Sequence, residues 1–252
     1  MKVAVAGKGG VGKTSIAGTL ARLLARDGRT VLAIDGDPGP NLALTLGIPA
    51  ERVASLPTLP SGVLAGTDGE PALSLPLAAL RRACAVTAPD GVELLVMAAA
   101  HEAGTGCLSS LHAAVRAIVR ECPDDVCILD TDASPEGFSR GVARHVDLML
   151  VVVEATSASL RTAGRMVALA RDLGLAHIEL VANKVRDQGD LDRIRLLASE
   201  LELRVAGVVP FDEALAAAER DMRAPLDTAP GAPAVAAVGA LAVHVAHTYG
   251  AQ

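Results

Sequence analysis

The chain has 252 residues, a formal net charge of −6 at pH 7 and a sequence pI of about 5.5. This acidic balance argues against a general nucleic-acid-binding protein, whose binding face would be basic. No apolar run reaches the ~18 residues that a membrane-spanning helix needs, so no membrane partner is expected. The first residues, "MKVAVAG", lack the apolar segment of a secretory signal, and we therefore expect a cytoplasmic location.

Aromatic residues are scarce, with two Phe, one Tyr and no Trp. The core must therefore consist of Val, Leu, Ile and Ala, which suits a buried parallel sheet covered by helices. In a cytoplasmic protein, cysteines are expected as free thiols or metal ligands rather than disulfides. The four cysteines are Cys84, Cys107, Cys122 and Cys127.

Strand and helix patterns alternate along the chain. A strand is predicted over "KVAVAG", followed by a helix over Thr14–Asp27 that ends at Gly28. Further strands are predicted over "TVLAIDGD", "VELLVMA", "DVCILDTD", "DLMLVVVEA", "HIELVANK" and "RVAGVVPFD". Helices are predicted over Ser157–Leu173 and Gly189–Leu201. This order predicts one α/β domain over residues 1–252, with a doubly wound, mostly parallel sheet and helices on both faces.

Two segments depart from this alternation. Residues 49–75 are rich in Pro, Gly and Ala and have no clear period, which indicates an excursion or lid. Residues 222–233, "MRAPLDTAPGAP", are predicted to be a linker to a C-terminal helix. In a doubly wound sheet, ligands bind beyond the carboxyl ends of the strands. Functional residues are therefore expected in the loops that follow the strands.

The stretch "GKGGVGKT", from Gly7 to Thr14, satisfies the phosphate-loop pattern G-x-x-x-x-G-K-[ST] and lies between a predicted strand and a predicted helix. Its backbone N–H groups can turn inward around phosphate, Lys13 can reach the β- and γ-phosphates, and the Thr14 hydroxyl can meet Mg²⁺. The predicted nucleotide contacts in this region are Gly9, Gly10, Val11, Gly12, Lys13, Thr14 and Ser15.

Acidic residues follow two of the predicted strands. Asp35 and Asp37 end "AIDGD", and their spacing lets both point toward a bound Mg²⁺ and an attacking water. Asp130 follows four apolar residues in "VCILD", the Walker B arrangement in which a carboxylate holds Mg²⁺ through its water shell. The predicted Mg²⁺ site therefore consists of Thr14, Asp35 and Asp130.

The pair Asn183-Lys184 in "VANKV" bears on which base is bound. A guanine-reading N-K-x-D motif would require an acid at position 186, where this chain has Arg186. Without that carboxylate, the N1–H and N2 groups of guanine have no acceptor. ATP, with ADP as product, is therefore the expected nucleotide.

The loop resembles the deviant Walker A motif of the MinD/ParA superfamily, in the SIMIBI class of P-loop proteins, because Lys8 precedes "GGVGKT". The resemblance implies a Mg²⁺-dependent ATPase that forms a homodimer on binding ATP. In this family the early lysine, here Lys8, crosses the dimer interface to the partner's nucleotide. It acts as an arginine finger does, by stabilising charge on the transferred phosphoryl group. Lys8, Lys13 and Asp37 are thus the expected catalytic residues, with Asp37 positioning water.

The same resemblance assigns the base site. It implies that Asn183, with Lys184 beside it, meets the adenine edge, and that Pro210, Phe211 and Asp212 cover the ring. One position departs from the family pattern, which continues D-x-x-A-G after Walker B. Ser134 here replaces that glycine, although a serine N–H can still donate a hydrogen bond to phosphate.

Longer stretches resemble the CooC-like ATPases, which assist nickel insertion into carbon monoxide dehydrogenase. The similar segments are "GKGGVGKTSIAGTLARLLARDG", "DGDPGPNLALTLG", "DTDASPEGFSRG", "VDLMLVVVEATSASLRTA", "LVANKVRD" and "GVVPFDEALAAAE". The resemblance implies a client metalloenzyme and a metal-binding Cys-x-Cys pair at the dimer seam. Here the pair reads Cys107-Leu108-Ser109, so Cys107 is the candidate ligand for Ni²⁺ or Zn²⁺. His101 or His112 could complete a mixed site.

Two alternatives to a metallocentre-maturation ATPase stay open. One is a positioning ATPase of the MinD or ParA type that binds membrane or DNA. The C-terminal stretch "PAVAAVGALAVHVAHTYGAQ" has no Lys or Arg, which disfavours attraction to anionic lipid. The other is a nucleotide-dependent regulatory module with little turnover, an alternative that Ser134 suggests.

Overall fold

The computed structural model describes residues 1–37, 41–60, 62–65, 70–97, 108–132 and 141–250. The strands are β1 Lys2–Gly7, β2 Val31–Gly36, β3 Leu64–Ala65, β4 Ala72–Leu73, β5 Val86–Thr87, β6 Glu93–Val96, β7 Val126–Thr131, β8 Leu148–Val153, β9 Ile178–Val185 and β10 Arg204–Pro210. The helices are α1 Lys13–Arg26, α2 Leu42–Thr45, α3 Ala50–Val53, α4 Leu77–Cys84, α5 Leu108–Glu121, α6 Ser157–Asp172, α7 Gln188–Glu200, α8 Glu213–Arg220, α9 Pro225–Thr228 and α10 Pro233–Tyr249.

Eight strands form one sheet in the order β10-β9-β8-β1-β7-β2-β6-β5. All neighbours are parallel except β5, which runs antiparallel to β6 at the edge. Strand β7 lies between β1 and β2, and β8 lies on the other side of β1. The chain therefore reverses its winding direction around β1, and this is where a doubly wound sheet opens a ligand crevice.

Helices cover both faces of the sheet, because alternate strand residues point to opposite sides. On β1, Val3 and Val5 face the core that includes helix α1, whereas Ala4 and Ala6 face the core that includes helix α5. All four residues are completely buried. The predicted fold class, a mostly parallel doubly wound α/β sheet, is thereby confirmed.

The two irregular segments contain short elements. Within residues 49–75, the described part includes α3 and the two-stranded antiparallel pair of β3 and β4. Residues 222–233, predicted as a linker, contain helix α9, and Asp227 in that helix is hydrogen-bonded to Arg22 of helix α1. This segment is therefore fixed against the nucleotide-loop helix and leads to the expected C-terminal helix α10. None of the helices within the described residues combines the length and apolar character needed to cross a bilayer.

Truncation of Leu20 should destabilise the fold, because this completely buried side chain lies in the core between helix α1 and the sheet. Leu20→Ala is expected to lower the free energy of unfolding by about 2–5 kcal/mol. Val243→Ala is the matched control: Val243 is 70% exposed, and its loss should change stability by no more than about 0.5 kcal/mol. Urea unfolding followed by far-ultraviolet circular dichroism measures both. Equal destabilisation by the two variants would contradict the packing described.

Candidate functional site

The phosphate loop follows β1 and has little room around its glycines. Gly10 and Gly12 have φ angles of 82° and 91°, in the left-handed region that favours glycine. A Cβ on Gly12 would overlap the side-chain amide of Asn183, and one on Gly7 would overlap the carbonyl oxygen of Val152. Residues of the neighbouring strands β8 and β9 thus contact the loop directly. With glycines at these positions, a phosphate group would meet the backbone of the loop.

The two loop lysines lie in opposite environments. Lys13, the first residue of helix α1, is only 6% exposed, and its charge acts on the carboxylate of Asp130. Lys8 is exposed, and its ammonium lies 3.5 Å from the backbone carbonyl oxygen of Gly9. Among the described residues, Lys8 takes part in no ion pair. Only Lys13 is therefore built into the site of its own subunit.

Asp35 and Asp130 lie side by side at the ends of two adjacent strands. They are register partners on parallel strands β2 and β7, and they are 0% and 1% exposed. Burial, reinforced by the charge of Asp130, raises the pKa of Asp35 to about 8. Burial also raises the pKa of Asp130 to about 7, although a hydrogen bond from Thr14 and the charge of Lys13 act to lower it. Two buried carboxylates thus lie together, and the charge of Lys13 acts on one of them, Asp130.

The donor set at Asp130 fits a magnesium ion. No described residue donates a hydrogen bond to Asp130 Oδ1, a buried oxygen, whereas the Thr14 hydroxyl bonds to the same carboxylate. Mg²⁺ in nucleotide sites is bound through one or two carboxylates plus substrate phosphates, and the Asp130 carboxylate beside the Thr14 hydroxyl matches that pattern.

Asp35, predicted as a metal ligand, accepts two backbone hydrogen bonds at the end of β2, and metal binding stays a prediction for it. Its Oδ2 accepts the backbone N–H of Leu42 at 2.9 Å, and its Oδ1 accepts that of Asp37 at 3.2 Å. Asp35 therefore holds the chain on both sides of residues 38–40. The charge of Asp37 raises the pKa of both Asp35 and Asp130, so its carboxylate lies near the predicted magnesium position.

Asn183 and Lys184, predicted at the base, brace the phosphate loop. Asn183 Nδ2 donates to the Val11 carbonyl at 2.6 Å, and Lys184 Nζ donates to the Gly10 carbonyl at 2.6 Å. Lys184 also pairs with Glu154 at 3.0 Å. Strand β9 therefore fixes the loop from the side opposite helix α1. Contact with adenine stays a prediction for this pair.

The loop after β10 holds the other predicted base contacts, Pro210, Phe211 and Asp212. Phe211 N–H donates to the Val185 carbonyl at 2.9 Å, and the Arg186 guanidinium stacks 3.5 Å from the centre of the Phe211 ring. Asp212 caps helix α8, because its Oδ1 accepts the N–H of Ala214 at 2.9 Å. Guanine recognition would require an acid at position 186. Arg186 instead contacts Phe211, which is predicted to cover the base.

A cavity of about 370 Å³ opens beside the loop. Gly10, Gly12, Lys13 and Thr14 form one end, and two further segments form its walls. The wall residues are Asn41, Leu44 and Thr45 from one segment and Ala218, Glu219, Met222, Arg223 and Pro225 from the other. The sequence analysis missed the second wall, because it contains only helix and linker patterns and no recognisable motif.

Glu219, a polar residue of that wall, contacts the first turn of helix α1. Its Oε1 accepts a hydrogen bond from the Ser15 hydroxyl at 2.7 Å. Ser15 was a predicted nucleotide contact, and its hydroxyl is thus engaged by a carboxylate that faces the same cavity. Of the residues of the metal hypothesis, Cys107 and His101 lie outside the described residues, whereas His112 is a buried residue of helix α5. Ser134, in the motif after Walker B, also lies outside the described residues.

A doubly wound sheet, a glycine-rich loop between β1 and α1 and carboxylates on neighbouring strand ends define a P-loop nucleotide-binding protein. Residues 2–226 match the family model described as "CobQ/CobB/MinD/ParA nucleotide binding domain". The chain belongs to this family, and the resemblance found in the sequence is confirmed.

Two curated relatives align over most of their length. The "Carbon monoxide dehydrogenase accessory protein CooC" of Rhodospirillum rubrum is 38% identical over 233 residues, which cover 87% of each chain. The "Uncharacterized ATP-binding protein MJ0823" of Methanocaldococcus jannaschii is 39% identical over 222 residues, which cover 84% of this chain and 86% of the relative. The solved MinC:MinD cell division protein complex of Aquifex aeolicus shares the fold, with a TM-score of 0.72, 21% identity and coverage of 98% of this chain and 95% of that one.

The buried acid pair should make the nucleotide-free protein less stable as the pH rises. Both folded-state pKa values exceed the unfolded value of 3.8, so the folded chain binds more protons and loses stability between about pH 4 and pH 8. Asp130→Asn removes one member of the pair. We expect it to raise Tm at pH 8 by about 2–4 °C, the shift of roughly 1 kcal/mol for a chain of this size, and to have little effect at pH 5.

Differential scanning calorimetry of the nucleotide-free protein at both pH values measures this effect. Asp172→Asn is the control, because Asp172 is exposed at the end of helix α6. A lower Tm for Asp130→Asn at pH 8, or a gain that is larger at pH 5, would show that the carboxylates do not repel each other.

Proposed function

We propose that this chain binds and hydrolyses ATP with Mg²⁺, and that ATP drives a homodimerisation that assists nickel insertion into a client metalloenzyme. The observation that carries the proposal is the opposite placement of the two loop lysines, with Lys13 buried and Lys8 exposed. The 38% identity to a carbon monoxide dehydrogenase accessory protein, over most of both chains, supports this class of function. The similarity to a protein named as ATP-binding supports the nucleotide.

The division of roles between the lysines follows from their surroundings. Lys13 is held at the phosphate end of the cavity and is proposed to bind the β- and γ-phosphates of its own subunit. Lys8 is proposed to stabilise the transferred phosphoryl group of a facing subunit, because nothing in the described part of its own subunit engages its charge except a neighbouring carbonyl oxygen. Hydrolysis then requires two subunits, which couples turnover to assembly.

Selection of adenine rests on Arg186. Guanine recognition needs a carboxylate that accepts from N1–H and N2, and a guanidinium offers donors only. The stacking of Arg186 on Phe211 holds that guanidinium beside the proposed ring-covering loop. ATP is therefore favoured over GTP.

The acids at the strand ends are proposed to serve hydrolysis. Thr14 and Asp130 would hold Mg²⁺, which when bound neutralises phosphate charge. Asp35 would hold the backbone at Asp37 and Leu42 through the hydrogen bonds that it accepts. Asp37 is proposed to position the attacking water, since its carboxylate acts on both buried acids. Glu219, which hydrogen-bonds Ser15 at the cavity, joins the proposed nucleotide contacts.

Nickel is the proposed cargo, and Cys107 is the candidate ligand for it. A single thiolate from each of two subunits would give an open or mixed site, weaker than a closed four-thiolate site. Ser109 replaces the second cysteine of the Cys-x-Cys pair, and a neutral hydroxyl is a harder and weaker ligand than a thiolate.

The lysine assignment predicts two distinct defects. Lys13→Ala should abolish ATP binding, whereas Lys8→Ala should bind ATP normally and lose turnover by about 10³–10⁵-fold, the effect of a trans cation in related phosphoryl transfer. Binding is measured by isothermal titration calorimetry and turnover by phosphate release, with Lys2→Ala as control because Lys2 begins β1 at the opposite end. Normal hydrolysis by Lys8→Ala would refute the trans role.

The proposed Cys107 site predicts one nickel or zinc ion per dimer, held by Cys107 of both subunits. Cys107→Ala should lose the ion, and Ser109→Cys should bind it more tightly because it restores the thiolate pair. Metal titration of the purified protein in ATP, with a competing chromophoric chelator, gives stoichiometry and affinity. Stoichiometric metal on Cys107→Ala would place the site elsewhere, and metal only on Ser109→Cys would show that the natural chain does not carry nickel.

A further inference from the structure

Arg22 is a buried charge on the phosphate-loop helix that the site described above does not use. It lies on α1 and is only 2% exposed. Its guanidinium donates twice to Asp227, from both terminal nitrogens at 2.8 Å, and once to Asp90, from Nε at 2.6 Å. A bidentate guanidinium–carboxylate pair fixes both the distance and the relative orientation of the elements it joins.

The position of Asp227 connects this ion pair to the cavity. Asp227 follows Pro225 by two residues in helix α9, and Pro225, Arg223 and Met222 form part of the second cavity wall. The ion pair therefore ties that wall to the same helix whose first residue is Lys13. Asp90, the other partner of Arg22, lies in a turn outside the cavity and also pairs with Arg26 at 3.1 Å.

Gly47 shows that the first wall also packs against this ion pair. It follows helix α2, whose Leu44 and Thr45 line the cavity. With a φ of 88°, a Cβ on Gly47 would lie 2.7 Å from Asp227 Oδ2 and 3.1 Å from the Nη1 atom of Arg22. Both walls thus lie close to the guanidinium of Arg22.

The charges in this cluster balance. Arg22 and Arg26 face the carboxylates of Asp90 and Asp227. Burial alone would lower the pKa of Arg22, but the hydrogen bonds that it donates to Asp227 and Asp90 raise it overall, so the guanidinium stays charged. Neutralising Asp227 would leave the guanidinium paired with Asp90, and the bidentate link between helix α1 and the wall would be lost.

We propose that Arg22 is a positioning residue for nucleoside binding: through Asp227 it sets the distance between the phosphate-loop helix and the wall of residues 218–225. The inference rests on the proposed function, since it assumes that the cavity holds ATP. Gly10, Gly12, Lys13 and Thr14 form the phosphate end, so the space against the second wall is left for the ribose of the nucleoside. Arg22 itself is absent from the cavity lining.

The proposal predicts a selective defect in affinity. Arg22→Met should weaken ATP and ADP by about tenfold or more, while tripolyphosphate, which lacks the nucleoside, should bind within about twofold of wild type. Arg22→Lys, which keeps the charge but not the bidentate geometry, should fall between wild type and Arg22→Met. Isothermal titration calorimetry with ATP, ADP and tripolyphosphate measures the three affinities for each variant.

Arg81→Met is the matched control for loss of a partly buried arginine. Arg81 makes the same kind of network, bidentate to Asp124 at 2.6 and 3.1 Å and bonded to Glu93 at 2.8 Å, but neither partner belongs to a segment that lines the cavity. The Arg81→Met variant should lower the stability of the fold and leave the ratio of ATP to tripolyphosphate affinity unchanged.

Should Arg22→Met not fold, Asp227→Asn tests the same link while Arg22 keeps Asp90. Asp90→Asn should leave the ratio of ATP to tripolyphosphate affinity unchanged.

Each outcome decides for or against the proposal. An unchanged ATP affinity in Arg22→Met and Asp227→Asn would overturn it, as would an equal loss of ATP and tripolyphosphate, which would indicate damage to the phosphate loop. An equal defect in Arg81→Met would reduce the effect to general stability. Failure of the wild type to bind ATP would defeat the proposed function and this inference with it, and is visible without any variant.

Discussion

The phosphate loop can take only the path that its neighbours allow, and the site depends on that constraint. Gly7 and Gly12 have no room for a side chain, because a strand carbonyl of β8 and the amide of Asn183 on β9 occupy the space. Asn183 and Lys184 then bond the loop carbonyls of Val11 and Gly10, which fixes the loop to β9. A loop fixed in this way directs Lys13 into the protein and leaves Lys8 on its surface.

The buried charges of the same site determine what charge a ligand must carry. Asp35 and Asp130 are register partners on adjacent strands, and the positive charge of Lys13 acts on Asp130. Burial raises the pKa values of both acids, so the nucleotide-free site disfavours a second negative charge. Asp130 and Thr14 would hold a divalent cation that offsets this charge. The proposed binding of Mg²⁺-ATP therefore rests on the burial of these acids as well as on the motif.

The sequence predicted the parts of this structure that depend on local pattern. The order of strands and helices, the phosphate loop and the strand-end acids are each specified within a few residues, by periodicity or by a motif. It did not predict the cavity wall at 218–225 or the cluster around Arg22, because the partners Arg22 and Asp227 are distant in the chain and carry no motif. The assignment of Asn183 and Lys184 to the base stays a prediction, and the sequence did not predict that their side chains also brace the loop, a role set by how closely β9 approaches.

The central claim is that Lys8 acts on the nucleotide of a partner subunit, and subunit mixing tests it directly. Lys8→Ala and Asp37→Ala homodimers should each be inactive. In a mixed dimer, the Lys8→Ala subunit keeps its own Asp37 and receives Lys8 from its partner, so one complete site returns. Because half of the randomly mixed dimers carry one such site of two, we predict that ATP hydrolysis recovers to about a quarter of the wild-type rate. No recovery, in a mixture shown by light scattering to form dimers, would contradict the account.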